Sequence, residues 1–332
     1  MRRDLISIVE AGYRLDGDDR AWLTSVLEMV RPQLDSGFGV IGWSFAEGGR
    51  RRDAPVCVGC PQEFGVAVEQ AHQIVSEGMR SAYEYPRLYS SLHRRLGGRG
   101  LRDFPQVLDL MKMGGIGDFV ALSAPDVDGS GVIIGAPAKR VEQPAPHTAR
   151  MWERVAGHLA AALRLRHATQ RRAEAERDPE AVVSTDGRVE HARGDDATRA
   201  RSSLRSAALA AERARGRLRH DDPARALGFW KGLVEARWSL IDRFDSGGRR
   251  YLVAVRNDPR VPHPGALTER ERQVVALAAF GRSNKSIAYE LGLSLGVVGA
   301  YLASAVRKLN VTSRVELVRL YAALGGRDPE PQ

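Results

Sequence analysis

Residues 284–309 read NKSIAYELGLSLGVVGAYLASAVRKL, and this stretch decides the fold of the C-terminal part of the chain. Its apolar residues recur at helical spacing on both sides of Gly292, a residue type at which helices end. Ser294 follows two residues later and is a residue type that caps the start of a new helix. The stretch therefore predicts two short helices joined by a tight turn, an arrangement that can place its second helix in the major groove of DNA.

The composition is that of an ordinary globular chain. Its 332 residues suffice for two or three domains, and 43% are hydrophobic and 27% charged. No apolar run approaches the ~18 residues that cross a bilayer, and the N-terminus lacks the pattern of a signal peptide. We therefore expect a cytoplasmic protein without a membrane partner. The net charge of +9 rests on 45 arginines and five lysines, a bias that genome composition can produce, so basicity permits DNA binding without establishing it.

Residues 18–168 predict an α+β module. Amphipathic helices are predicted at its two ends by DDRAWLTSVLEMVRPQL and TARMWERVAGHLAAALRLRHA, and a further helix is predicted over residues 61–79. The stretch GDFVALSAPDVDGSGVIIGAP predicts two strands joined by an Asp-Gly turn. Helices packed on one antiparallel sheet satisfy these patterns.

Two shorter segments follow. Residues 178–257 predict a small α+β segment, with one hairpin at Asp186-Gly187, a helix from about residue 194 to 220, and a second hairpin turning at residues 246–248. Residues 258–265 are rich in proline, which blocks helix continuation and removes a backbone donor. This stretch therefore predicts a linker.

Residues 266–325 predict an all-α domain of four short helices. Thr268 and Glu271 have the spacing of a capping box at the start of the first helix, and Ser313 and Glu316 have the same spacing at the start of the fourth. The third helix begins after Ser294. The residues that its spacing turns inward are Val298, Leu302, Ala305 and Leu309.

The stretch LTERERQVVALAAFGRSNKSIAYELGLSLGVVGAYLASAVRKLNVTSRVELV resembles the LuxR-type (GerE-like) helix-turn-helix over residues 267–318 without a gap. The resemblance implies DNA binding, usually as a homodimer through the fourth helix, and control of transcription, with RNA polymerase as a candidate partner. The positions that match the family pattern are Glu271, Gly281, Asn284, Lys285, Ile287, Ala288, Leu291, Leu293, Ser294, Val298, Lys308, Leu309, Val311 and Arg314.

The sequence departs from the family pattern at one position of the second helix and at three positions of the third helix. Ser286 replaces a usual glutamate, Val297 a usual threonine, Gly299 a common polar or basic residue, and Tyr301 a common histidine. Few side chains on the outward face of the third helix can hydrogen-bond a base, so weak direct readout is predicted, with affinity coming mainly from phosphates. The candidate DNA-contacting residues are Lys285, Ser294, Gly299, Ala300, Ala303, Ser304, Arg307 and Lys308.

The N-terminal segments carry weaker resemblances. The ending SGVIIGAPAKR…ARMWERVAGHLAAALRLR is similar to the last strand and closing helix of GAF-type sensor domains, and AVVSTDGRVEHA with the later hairpin resembles a PAS-like fragment. These resemblances imply a small-molecule or protein signal at the N-terminal domain. The predicted fold class is thus multidomain, with an α+β (GAF/PAS-like) sensor region followed by an all-α four-helix helix-turn-helix domain.

No enzyme, cofactor or metal site is predicted. Cys57 and Cys60 lie in CVGC, but a zinc site would need two more ligands and a redox role a thioredoxin-like context, so buried structural cysteines are predicted. The favoured function is a sensor-linked transcriptional regulator that binds specific DNA. The alternative is a protein-interaction regulator whose helix-turn-helix has lost direct base readout.

Overall fold

The computed structural model describes residues 4–46, 53–61, 64, 88–95, 105–141, 143–171, 179–246, 249–259 and 267–325. Packing divides the chain into two units, one formed by Met1–Arg172 with Ala210–Trp230 and the other by Ala173–Leu209 with Lys231–Gln332. Two sheets precede a helical C-terminal region, so the predicted multidomain arrangement is confirmed at this level. The predicted helix at 61–79 and the linker at 258–265 lie largely outside the described residues, and the predicted domain boundaries stay a prediction.

The first unit is built on a five-stranded antiparallel sheet with the strand order β2-β1-β5-β4-β3. The predicted Asp-Gly hairpin is present as β4 and β5, which pair from Asp118↔Ala138 to Pro125↔Gly131. The sequence did not predict α1, whose Ile6, Ile8 and Val9 are fully buried. The elements are α1 (Ile6–Gly12), α2 (Asp19–Leu34), β1 (Val40–Phe45), β2 (Val56–Val58), β3 (Tyr89–Ser91), α3 (Leu92–Arg95), α4 (Pro105–Met113), β4 (Asp118–Pro125), β5 (Gly131–Ala138) and α5 (Pro146–Arg171).

The α/β part of the second unit has a four-stranded antiparallel sheet with the order β7-β6-β9-β8. Its elements are β6 (Ala181–Ser184), β7 (Val189–Ala192), α6 (Gly194–Arg199), α7 (Arg201–Arg215), β8 (Trp238–Ser246) and β9 (Arg249–Arg256). Trp238 is almost fully buried among small and branched side chains of the sheet and of the first half of α7. Its indole Nε1 donates to Glu180 Oε2 at 2.5 Å, which satisfies the buried N–H.

Residues 210–230 return to the first unit through the end of α7, α8 (Leu218–Asp221) and α9 (Pro223–Phe229). Arg215 Nε pairs with Glu10 Oε1 at 2.9 Å, and Arg219 Nη2 pairs with Asp4 Oδ2 at 2.8 Å. These ion pairs join Glu10 of α1 and Asp4, just before α1, to residues about two hundred positions later.

The C-terminal helices are α10 (Glu269–Ala279), α11 (Asn284–Glu290), α12 (Leu295–Lys308) and α13 (Arg314–Gly325). Thr268 and Glu271 form the predicted capping box of α10. At α13 only one of the two hydrogen bonds of the predicted capping box forms. Ser313 Oγ accepts from Glu316 N at 3.2 Å, but the Glu316 carboxylate accepts from Thr312 N at 2.7 Å instead of Ser313. The carboxylate thus accepts from the amide one residue before the N-cap amide that a capping box would use.

In the described part of the chain, no single helix is long and apolar enough to cross a membrane. The pair α11 and α12 reaches the necessary apolar length only across a bend of 109°.

Candidate nucleic-acid interface

A tight turn sets the geometry of α11 and α12, whose axes differ by 109°. Gly292 takes a φ of +67°, a left-handed conformation that favours glycine, and Leu293 N donates to Ala288 O at 2.9 Å to close the end of α11. Ser294 then caps α12 by accepting from Val297 N at 3.2 Å. Val298 and Leu302 are buried as predicted. Two helices crossing near a right angle over so short a turn have the geometry of a helix-turn-helix.

The outer face of α12 consists of small or apolar residues and one cation. Leu295 is 50% exposed and Val297 39% exposed, and both lie in the first turn, the part of such a helix that enters the major groove. Leu295 was not predicted on this face, although it lies directly after the cap and outside the inward spacing, which together indicate an outward side chain. The outer face is defined as Leu295, Gly296, Val297, Gly299, Ala300, Ala303 and Arg307.

The predicted cationic contacts differ in their surroundings. Lys285, in the first turn of α11, and Arg307, in the last turn of α12, are exposed, and neither has a hydrogen bond or ion pair with a residue that the structure describes. Ser294 is exposed and serves as the helix cap. Gly299 faces open space, since a Cβ built there would meet no atom within 4 Å. Lys285, Ser294, Gly299, Ala300, Ala303 and Arg307 therefore remain accessible to a ligand.

The other two candidates, Ser304 and Lys308, face α10. Ser304 Oγ donates to Glu271 Oε1 at 2.6 Å, and Lys308 Nζ pairs with Glu271 Oε2 at 2.8 Å. Glu271 is only 4% exposed, so both bonds hold an internal carboxylate. A DNA contact by either residue would compete with the hydrogen bonds that fix α12 to α10.

These bonds control the ionisation of Glu271. Burial alone would raise the pKa of Glu271, but hydrogen bonds from Lys308, Ser304 and Thr268 outweigh it and lower the pKa from 4.5 to about 2. A carboxyl whose pKa is lower in the folded state stabilises the fold fully above its unfolded pKa, and this contribution is lost as the pH falls through the folded value.

Glu271→Gln is therefore expected to lower the melting temperature at pH 7, with a difference from the parent that shrinks as the pH falls from about 5 to 2. Thermal unfolding followed by circular dichroism at a series of pH values measures this. Glu28→Gln changes an exposed carboxylate on α2 and should leave the melting temperature unchanged. A pH-independent difference for Glu271→Gln would contradict the role given to its charge.

A second hydrogen-bond network, which was not predicted from the sequence, fixes the position of α11. Arg282 Nε donates to Glu290 Oε1 at 3.0 Å, and Ser286 Oγ donates to the same oxygen at 3.0 Å. Arg314 at the start of α13 donates to Asn284 Oδ1 at 2.6 Å and to Arg282 O at 2.8 Å. The serine that departs from the family pattern thus supports the buried Arg282–Glu290 ion pair.

The turn of the helix-turn-helix packs against residues 233–236 of the same unit. A Cβ at Gly292 would lie 1.9 Å from Leu233 O, so the two backbones are in close contact. Arg270 Nη1 donates to Ala236 O, and Gln273 Nε2 donates to Pro259 O at 3.1 Å. The helical region is thereby joined to the preceding α/β part by backbone contacts and hydrogen bonds.

These observations define a helix-turn-helix domain with an accessible second helix. Residues 265–321 match the protein-family model described as "Bacterial regulatory proteins, luxR family". The chain belongs to this family.

The curated relatives match a limited share of the chain. The transcriptional regulatory protein FixJ of Azorhizobium caulinodans is 44% identical over 63 residues, which are 19% of this chain and 29% of FixJ. UhpA of Escherichia coli is 44% identical over 68 residues, 20% of this chain and 31% of UhpA. The uncharacterized response regulatory protein YgeK of Escherichia coli is 31% identical over 101 residues, 29% of this chain and 69% of YgeK. The chain thus spans less than a third of the length of FixJ and UhpA.

Among solved structures, Escherichia coli SdiA aligns over 93% of this chain and 92% of its own, with 9% identity and a TM-score of 0.33. A TM-score this low does not establish a common fold.

Proposed function

We propose that the protein is a DNA-binding transcriptional regulator whose N-terminal region controls the helix-turn-helix. The observation that carries this proposal is the accessible outer face of α12, with Arg307 at its end, on a LuxR-type scaffold. Binding alone accounts for this role, and no catalytic step is required. The compartment proposed for this role is the cytoplasm.

Phosphates provide most of the affinity in this proposal. Lys285 and Arg307 are exposed cations, one at the start of α11 and one at the end of α12, and the amides of the first turn of α12 favour an anion beside Ser294. Apolar side chains on the outer face can contact the methyl group of thymine, and this contact favours A·T pairs in the major groove. These side chains are Leu295, Val297, Ala300 and Ala303. Small residues at Gly296 and Gly299 let the helix approach the bases closely.

The assembly proposed for DNA binding is a homodimer. The protein acts as a homodimer through α13, on which Val315 is 62% exposed, so that two copies of α12 meet half-sites about one helical turn apart. An apolar side chain with that exposure is better buried in a contact between copies. RNA polymerase is a further candidate partner of the DNA-bound dimer.

The sensing role is assigned to the N-terminal region, proposed to consist of a GAF-like domain at 18–168 and a PAS-like segment at 178–257, followed by the linker at 258–265 and the four-helix domain at 266–325. A cavity of about 450 Å³ lies in the first unit. Tyr89 and Trp152 line it and stack with ring centroids 5.5 Å apart, and Gln33 and Thr148 add polar groups. An open, mainly polar cleft of this size beside the stacked rings is large enough for a small organic molecule as the signal.

Arg307→Ala is expected to weaken DNA binding about equally on all sequences and to flatten the log–log salt dependence by about 0.9, because one cation no longer neutralises a phosphate. Gly299→Lys should raise general affinity or change sequence preference, because its side chain would point into open space on the outer face. Fluorescence anisotropy with selected and random duplexes at several salt concentrations measures both. Arg140→Ala removes an exposed arginine of the first unit and serves as the control.

The second candidate function is a protein-interaction module. The exposed Leu295 and Val297 favour it, since apolar side chains suit a protein surface as well as a base edge. If binding, salt slope and preference are all unaffected by Arg307→Ala and Gly299→Lys, α12 does not face DNA and this function takes precedence.

A further inference from the structure

Cys57 and Cys60 occupy the edge of the sheet of the first unit. Cys57 lies in β2 opposite Ile41 of β1, and Cys60 follows the strand after Gly59, whose φ is +72°. The chain has no other cysteine. The sequence predicted buried structural cysteines, but both are free thiols and only half-buried. Cys57 packs against an apolar cluster of the sheet, and both cysteines remain partly accessible.

The turn at Gly59 brings the two side chains together. A left-handed residue between them turns the chain, and the two thiols lie close enough for each to shift the pKa of the other. Cys60 Sγ also donates to Val40 O of the neighbouring strand at 3.3 Å. The backbone around Cys60 is fixed, since a Cβ at Gly39 would lie 2.5 Å from Cys60 N. The pair is thus held in proximity by β1 and the turn.

The surroundings make the two thiols unequal. The neighbouring Cys60 thiol lowers the pKa of Cys57 against the opposing effect of burial, and the positive charge of Arg20 adds to this lowering. The neighbouring Cys57, together with burial and the negative charge of Asp35, raises the pKa of Cys60. Val40 O accepts the proton of the Cys60 thiol, which keeps Cys60 protonated. Because the thiolate is the nucleophile, we assign Cys57 as the attacking residue and Cys60 as the resolving one.

We propose that Cys57 and Cys60 form a redox-active dithiol that hydrogen peroxide oxidises to an intramolecular disulfide. The sulfur of Cys57 attacks one peroxide oxygen, so an S–O bond forms as the O–O bond breaks, and hydroxide leaves and takes up a proton as water. The sulfur of Cys60 then attacks the resulting sulfenic acid, so an S–S bond forms, the S–O bond breaks and a second water leaves with the thiol proton. Two electrons pass from the dithiol to the peroxide. This chemistry is independent of DNA binding and goes beyond the proposed function.

The test uses the full chain, reduced and freed of reductant, then treated with a small excess of hydrogen peroxide. Unreacted thiols are alkylated with N-ethylmaleimide under denaturing conditions and counted by mass spectrometry. The expected result is a fall from two free thiols per chain to none, with one linkage between Cys57 and Cys60 and no covalent dimer on a non-reducing gel. Two alkylated thiols after treatment, or disulfides between chains only, would overturn the proposal.

Single variants test the assigned roles. Cys60→Ser should trap a sulfenic acid at Cys57 that dimedone labels, whereas Cys57→Ser should react with peroxide much more slowly. Arg20→Gln should slow oxidation of the otherwise unchanged dithiol, and Arg140→Gln should not. Equal rates for the two cysteine variants, with circular dichroism like that of the parent, would overturn the assignment of Cys57 as the nucleophile.

Discussion

Val298→Asp is expected to unfold the helical domain and abolish DNA binding. Val298 is fully buried on the inner face of α12, and the aspartate would place a charge without a partner in that core. Such a charge costs several kcal/mol, which is a large part of the ~5–15 kcal/mol that stabilises a domain. Circular dichroism should show loss of helix or a much lower melting temperature, and anisotropy should show no binding to duplexes that the parent binds.

The neighbouring residue supplies the matched control. Val297→Asp adds the same charge one position earlier, on a side chain that is 39% exposed. Its melting temperature should stay near that of the parent, while DNA binding should weaken because the new carboxylate faces phosphates. Equal stability of the two variants would show that the inner and outer faces of α12 are assigned incorrectly.

Gly292→Ala is expected to destabilise the second unit through two effects. The φ of +67° puts an alanine in the left-handed region, at a cost of roughly 1–2 kcal/mol. The added methyl would also lie 1.9 Å from Leu233 O, so the backbone at residues 233–236 must move. The total loss of stability should therefore exceed the left-handed cost alone, and urea unfolding of the full chain measures it.

Gly299→Ala is the natural comparison. This glycine lies within α12, and a Cβ there would meet no atom within 4 Å. Alanine should stabilise the helix by up to about 1 kcal/mol. If Gly292→Ala were as stable as the parent while Gly299→Ala behaved as expected, the close contact of the turn with Leu233 would be excluded.

Local patterns in the sequence predicted most of the helix-turn-helix. The caps at Thr268 and Ser294 and the buried Val298 depend on neighbours a few residues away, so spacing was sufficient to find them. The orientation of Ser304 could not be predicted from spacing. It lies about 120° around the helix from Val298, at the edge between the two faces. Whether an edge residue faces inward depends on a partner in another helix, in this case Glu271, which periodicity cannot reveal.

Ion pairs between distant segments also could not be predicted from the sequence. The ion pairs that Arg215 and Arg219 form with Glu10 and Asp4 join distant segments, and nothing in either segment indicates its partner. The proximity of Cys57 and Cys60 depended on the left-handed Gly59 and on the neighbouring strand. The pattern CVGC indicated the spacing of these thiols but not their exposure.

The small side chains on the outer face of α12 also affect how the protein can evolve. Ala300 and Ala303 are exposed and Gly299 faces open space, so single substitutions there can add a hydrogen-bonding group without disturbing Val298 or Leu302 beneath. A change of operator preference would then not have to pass through an unstable intermediate. A regulator with such a surface can acquire new target genes one mutation at a time while its scaffold stays intact.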